Sequence, residues 1–191
     1  MDRRWLGVMG ALLLIGLGVA GWMAWKKPEI PNYLARMGGD FHVQTLQGEL
    51  QLSDLKGKVV LLYFGYSHCP DVCPATLNLM AAAMRLLDDS KAVQGLFVSV
   101  DPNRDTPATL KAYTDFFSPN IIGATSDKAN LDAIAAQWRF DYHVPEQPKD
   151  DFYTVEHAKF LYVVNRDGKL VALFDEKSDA QRIADAVRMW L

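Results

Sequence analysis

The chain has 191 residues, 50% hydrophobic and 23% charged, with a formal net charge of −3. That length suits one domain with a proper core and excludes two full ones, and the apolar content excludes disorder. No basic surplus points to nucleic acid, and two cysteines are too few to staple a small fold, so they are either incidental or chemical.

Apolar residues concentrate at the start. Trp5 to Trp25 is an unbroken run of 21 uncharged residues, preceded by Arg3 and Arg4 and followed by Lys26 and Lys27. As a helix it would span about 31 Å, the thickness of a bilayer's hydrocarbon core, with Trp5, Trp22 and Trp25 near the two interfaces. The alternative is a cleaved signal peptide, for which Gly18-Val19-Ala20 offers a small-x-small site and which would leave a secreted protein. The length of the run favours an uncleaved anchor, residues 1–27. The free amine and two arginines favour the N-terminus inside and the remaining chain outside the cytoplasm. Beyond the anchor, 16 basic and 22 acidic residues give a net charge of −6, unsuited to hugging an anionic lipid surface. Pro28, Pro31 and the Gly38-Gly39 pair mark residues 28–39 as a linker, and the domain is expected over 40–191.

Residues 41–45 and 49–52 alternate around Gly48 and predict a hairpin. Lys58 to Gly65 is a continuous apolar run, the mark of a strand buried on both faces. A helix is expected from Thr76 to Leu87, with Leu77, Met80, Met84 and Leu87 on one side. A second buried strand covers Gly95 to Val100, and Thr106 and Pro107 cap a helix running to about Phe117. Ile121 to Ala124 and Lys128 to Trp138 form one further strand–helix unit, and 139–156 should be mostly loop. Ala158 to Val164 and Lys169 to Phe174 are strands joined by an Asp-Gly turn. A capping box at Ser178-Asp179-Ala180-Gln181 opens a last helix that should bury Ile183, Val187 and Leu191. The order is α/β: a thioredoxin-like fold with an N-terminal β-hairpin and one inserted strand–helix unit, preceded by a single N-terminal transmembrane helix.

In such sheets ligands sit beyond the carboxyl ends of the parallel strands, which here lead into Ser67-His68-Cys69 and into Asp101. Both cysteines fall there: Cys69-Pro70-Asp71-Val72-Cys73 spaces two thiols four residues apart in a strand-to-helix turn, near enough for a disulfide or one metal ion. A helix N-terminus, and His68 if protonated, would favour a thiolate. The three-residue spacer differs from the two of thioredoxin chemistry and suits metal capture as well as redox cycling.

Tyr63 to Pro74, YFGYSHCPDVCP, resembles the signature of the Sco/SenC proteins, membrane-anchored copper-binding proteins that assist assembly of the dinuclear copper site of cytochrome c oxidase. Val98 to Thr106 and Tyr153 to His157 agree with it; Ser67 stands where threonine is more usual and Glu156 where aspartate is common. The resemblance implies that one copper ion, Cu(I) or Cu(II), is held by Cys69, Cys73 and His157, and two thiolates with an imidazole form a soft set suited to Cu(I). Asp71 and Asp101 either orient ligands or supply a weak oxygen to Cu(II), unless they serve only as turn residues. His68 is expected to tune the thiols or face solvent ahead of acting as a ligand, and His42 and His143 to face solvent or be capped; Met80 and Met84 fit core packing better than thioether ligation of Cu(I), and Arg104 and Asp105 hold their loop.

Two functions stay open. One is a metallochaperone that passes copper to the copper-bearing subunit of the oxidase, fed by another copper chaperone. The other is a thiol–disulfide oxidoreductase in which Cys69 and Cys73 reduce the cysteines of the oxidase site or another extracytoplasmic target, recharged by a thioredoxin-like reductant. With no Arg- and Ser-rich transit sequence, the expected location is a bacterial inner membrane, single-pass, with the domain in the periplasm, ahead of a mitochondrial inner membrane.

Overall fold

The computed structural model describes residues 29–87, 90–145, 153–157 and 159–191. The predicted anchor, residues 1–27, lies outside them, and among the described residues no helix is long and apolar enough to cross a membrane. The second half of the predicted linker packs on the domain: Leu34 is buried, and the Gly38 N–H donates to the Gln137 carbonyl at 3.1 Å.

A seven-stranded sheet runs in the order β2-β1-β5-β4-β3-β8-β9. The hairpin β1 (His42–Thr45) and β2 (Gly48–Gln51) attaches antiparallel to β5 (Ile121–Thr125). Next come the parallel strands β4 (Val93–Ser99) and β3 (Val59–Gly65). The antiparallel hairpin β8 (Leu161–Val164) and β9 (Leu170–Phe174) closes the other side. Every residue of β3 is buried, as its unbroken apolar run requires of a strand covered on both faces.

Alternation along β3 splits the core in two. Phe64 faces helix α3 (Lys128–Trp138), stacking on Phe140 at 4.2 Å and meeting Trp138 and Tyr162 edge-on. Tyr63 and Gly65 face the opposite layer, which carries α1 (Val72–Arg85), α2 (Pro107–Phe117) and α4 (Ala180–Arg188). Leu77, Met80, Met84 and Leu87 are all buried there, so both methionines are core residues.

Three expectations need correction. Helix α1 starts at Val72, four residues before Thr76, because Pro74 occupies the first turn, where an amide has no partner to lose. The last helix is capped by Asp179, whose carboxylate accepts from the Arg182 N–H, while Ser178 donates to Asp175. Leu191 is exposed, because α4 ends at Arg188 and its apolar stripe ends with it. The stretch after α3, expected to be mostly loop, carries one short ladder: β6 (Tyr142–His143) pairs antiparallel with β7 (Glu156–His157), Tyr142 opposite His157.

Candidate metal centre

Strand β3 ends on Gly65, and the chain then turns sharply into α1. The Cys69 N–H donates back to the Tyr66 carbonyl at 3.4 Å, which brings Cys69 over the start of the helix. Cys73, second residue of α1, is fully buried, and its backbone N–H donates to the Cys69 sulfur at 3.5 Å. The Tyr63 hydroxyl donates to the Cys73 sulfur at 3.8 Å. Gly65 makes room for that sulfur, since a Cβ there would lie 2.7 Å from Cys73 Sγ and 3.0 Å from the Phe97 ring. Both cysteines are free thiols.

The third element is β7, which carries His157. Its Nε2 lies 3.4 Å from Cys73 Sγ, and the rings of Tyr63 and Tyr66 stand edge-on to the imidazole at 6.0 and 5.5 Å. The donor atoms of Cys69, Cys73 and His157 all lie within 4.8 Å of one another. The set suits a soft, low-coordinate ion such as Cu(I).

The two thiols are electrostatically unequal. The Cys73 thiol hydrogen-bonds the Cys69 sulfur and draws its pKa down to about 4 against the opposing cost of burial; the Asp71 and Cys73 amides and His157 add to the effect. Cys73 is driven the other way, by keeping the proton it offers Cys69 and by its own burial. The pair therefore shares one proton, held on the buried sulfur, and leaves the half-buried Cys69 as a thiolate.

Around the pocket, Asp105 is buried and accepts from the Ser67 N–H at 2.8 Å and from the hydroxyls of Ser67 and Ser99, both at 2.5 Å. It thereby ties the cysteine turn to the loop after β4. Asp101, also buried, accepts from Arg104 Nε at 2.6 Å and from the Tyr153 hydroxyl at 2.7 Å. Its two carboxylate oxygens thus serve the segment leading to His157. Asp71 is the exposed N-cap residue of α1, without a side-chain capping bond; its amide, rather than its carboxylate, acts on Cys69. His68 is exposed, with Nδ1 3.0 Å from Ser67 Oγ and 3.4 Å from Asp105. His42 and His143 face solvent. Gly65, Tyr63, Tyr66 and Tyr153 stand in the segments that carry the family resemblance, but the sequence assigns them no role at the site. The period of two along β3, which puts Tyr63 and Gly65 on the face met by the cysteine helix, was the available signal for the first two.

A cavity of about 410 Å³ opens along His157, lined by Arg139, Tyr142, His143, Glu156 and Phe160 among others.

Comparison with known proteins agrees with this geometry. The SCO1/SenC family model matches residues 31–191. A mitochondrial SCO2 homolog from Bos taurus is 31% identical over 190 residues, covering 92% of this chain and 71% of its own. Among solved structures, ScoI of Bradyrhizobium japonicum with copper bound superposes with a TM-score of 0.73 at 37% identity, covering 81% of this chain and 99% of that one. Yeast Sco1 with copper bound gives 0.71 at 31%, covering 81% and 90%.

Proposed function

The chain is a member of the SCO1/SenC family, and from that membership and the pocket of two thiols and one imidazole we propose that it is a copper-binding metallochaperone that delivers copper to, or prepares, the dinuclear copper site of cytochrome c oxidase. One observation carries the reading: Cys69, Cys73 and His157, from a turn, a helix start and a distant strand, converge within 4.8 Å. Copper is the cargo, one ion per chain, held by these three side chains. Loading it takes the proton shared by the thiols into solvent, because both sulfurs must bind as thiolates. Cys69, the more accessible sulfur, is the first to be exchanged for a thiolate of the copper-bearing oxidase subunit, and the cavity along His157 admits that partner or the chaperone that supplies the ion.

The inequality of the thiols supports a second activity at the same place. The Cys69 thiolate attacks a disulfide of the target, forming a mixed disulfide and releasing one target thiolate. Cys73 then gives up its proton and attacks Cys69 Sγ, which forms the Cys69–Cys73 disulfide and releases the second target thiolate. Two electrons pass from this chain to its target, and a thioredoxin-like reductant must return them.

Titrating the reduced full chain with Cu(I) against a competing chelator tests the first reading. His157→Ala should weaken binding by about 100-fold or more, beyond the range in which outer contacts of a metal site act, while the Cys69–Cys73 disulfide still forms. Unchanged affinity would remove His157 from the ligand set and leave thiol exchange as the surviving activity.

The N-terminal segment completes the proposal: residues 1–27 as a single-pass anchor, 28–39 as the linker and 40–191 as the domain, placed on the periplasmic side of a bacterial inner membrane. The run of 21 uncharged residues between basic pairs supports this. Protease added to intact spheroplasts should digest the domain; protection until lysis would reverse the orientation.

A further inference from the structure

Tyr153, four residues before His157, is gripped from three sides. Arg104 Nη1 donates to its carbonyl at 2.9 Å, the guanidinium carbon lies 3.4 Å from its ring centroid, and its hydroxyl donates to Asp101 at 2.7 Å. Arg104 is itself fixed, because Nε donates to the other Asp101 oxygen and the pair is buried, with 9% of the arginine and none of the aspartate side chain exposed. The loop beneath is rigid too: the Asp105 N–H donates to the Asp101 carbonyl at 3.0 Å, and the Asp101 N–H to Ser99 Oγ at 3.1 Å.

Arg104 also reaches the site by a second route. Its guanidinium lies 5.6 Å from the Tyr66 ring, which stands edge-on to His157 at 5.5 Å. The same short loop thus holds both halves of the centre, Asp105 fastening the cysteine turn through Ser67 and Arg104 fastening the histidine segment through Tyr153. The ladder that carries His157 is only two residues long and cannot fix its register unaided. A buried ion pair is a weak device for stability, since desolvation offsets most of its attraction, and its value lies in specifying one arrangement.

We propose that Arg104 is a positioning residue for the copper centre, setting His157 against Cys73 by clasping Tyr153 on Asp101 and packing Tyr66 behind the imidazole; this rests on the three-ligand reading above. Arg104 reaches the centre through Tyr153 and Tyr66, the neighbours of His157 in chain and in space, so it acts through His157.

The test is a double-mutant cycle on the full reduced chain, with Cu(I) affinity under a competing chelator as the main readout and the thiolate-to-Cu(II) charge-transfer band as the second. Arg104→Gln should weaken Cu(I) binding by about 10- to 100-fold, the usual reach of outer contacts on a metal site, and should shift the band. In a His157→Ala background the same change should alter affinity by less than about twofold, because the residue through which Arg104 acts is gone. Arg104→Lys, which keeps the charge but not the planar fork, should recover only part of the loss. An equal loss in both backgrounds would make Arg104 a general structural residue and overturn the proposal. No loss in the parent would overturn it as well, while leaving the ligand set intact if His157→Ala alone still weakens binding. If His157→Ala has no effect, the proposal and the three-ligand reading fall together. Should Arg104→Gln fail to fold, Tyr153→Leu enters the same cycle, with the same outcomes deciding.

Discussion

The two halves of the centre are built by opposite means. The cysteine turn joins a wholly buried central strand to a 14-residue helix, and its sulfurs are fixed by backbone: a glycine that admits Cys73, an amide that donates to Cys69, and a buried Asp105 that fastens Ser67. The histidine comes on a two-residue ladder and is fixed by side chains, through Arg104, Tyr153 and the rings of Tyr63 and Tyr66. A copper carrier has use for that difference. Rigid sulfurs keep the thiols paired whether or not the ion is present, and a histidine on a short ladder, clasped from outside through Tyr153, can be withdrawn when the ion must leave.

Hydrogen exchange sharpens the contrast most. Strand β3 pairs on both sides and opens only with the domain, whereas β7 can open by breaking one short ladder. Amides of Glu156 and His157 should exchange about 1,000-fold or more faster than those of Leu61 to Tyr63, a gap within the stability of an ordinary domain. Equal protection would mean that both halves belong to one cooperative unit.

The next effect asks whether the sulfurs need the histidine at all. The Cys69 pKa is lowered to about 4, chiefly by the Cys73 thiol, with His157 a smaller cause. The thiolate is therefore present above about pH 4 and lost as pH falls through it. At pH 6 an ordinary thiol of pKa about 8.5 is roughly one part in 300 thiolate. Alkylation of the reduced chain should accordingly modify Cys69 at a rate nearly flat from pH 8 to pH 5, about 300-fold faster at pH 6 than a free cysteine of equal intrinsic reactivity. In His157→Ala the flat region should persist. A midpoint near 8 in that variant would show that the histidine half sets the charge of the sulfur half.

These differences also explain what could be read from the chain. The buried strands, the Thr106 cap with Pro107 after it and the cysteine pair are local signals, and each fell where its pattern pointed. Helix α1 was placed late because Pro74 reads as a breaker unless its position in the first turn is known. At the last helix two adjacent residues, Ser178 and Asp179, can both cap, and only the backbone decides between them. The pairing of Tyr142 with His157 leaves no periodicity in two residues, and the Tyr153–Asp101 bond spans 52 positions, so no window of sequence contains it. Family resemblance implies His157 as a ligand, but not what holds it.

Gly65→Ala should break the comparison from the rigid side, with a smaller effect on copper than loss of a ligand. The added Cβ would sit 2.7 Å from Cys73 Sγ, 3.0 Å from Phe97 and 3.1 Å from the Tyr63 ring, so at least one of these must shift. All three groups are fully buried, and the sulfur, the nearest at 2.7 Å, is the one that must shift furthest. Overpacking of this kind costs about 1–3 kcal/mol, and displacing Cys73 moves it against both Cys69 and His157. Cu(I) affinity should fall by about 10-fold, and formation of the Cys69–Cys73 disulfide should be impaired with it, whereas His157→Ala impairs copper binding alone. If Gly65→Ala lowers thermal stability but leaves both affinity and disulfide formation unchanged, the sulfur is not held by its contact with β3, and the turn's own hydrogen bonds are sufficient to place it.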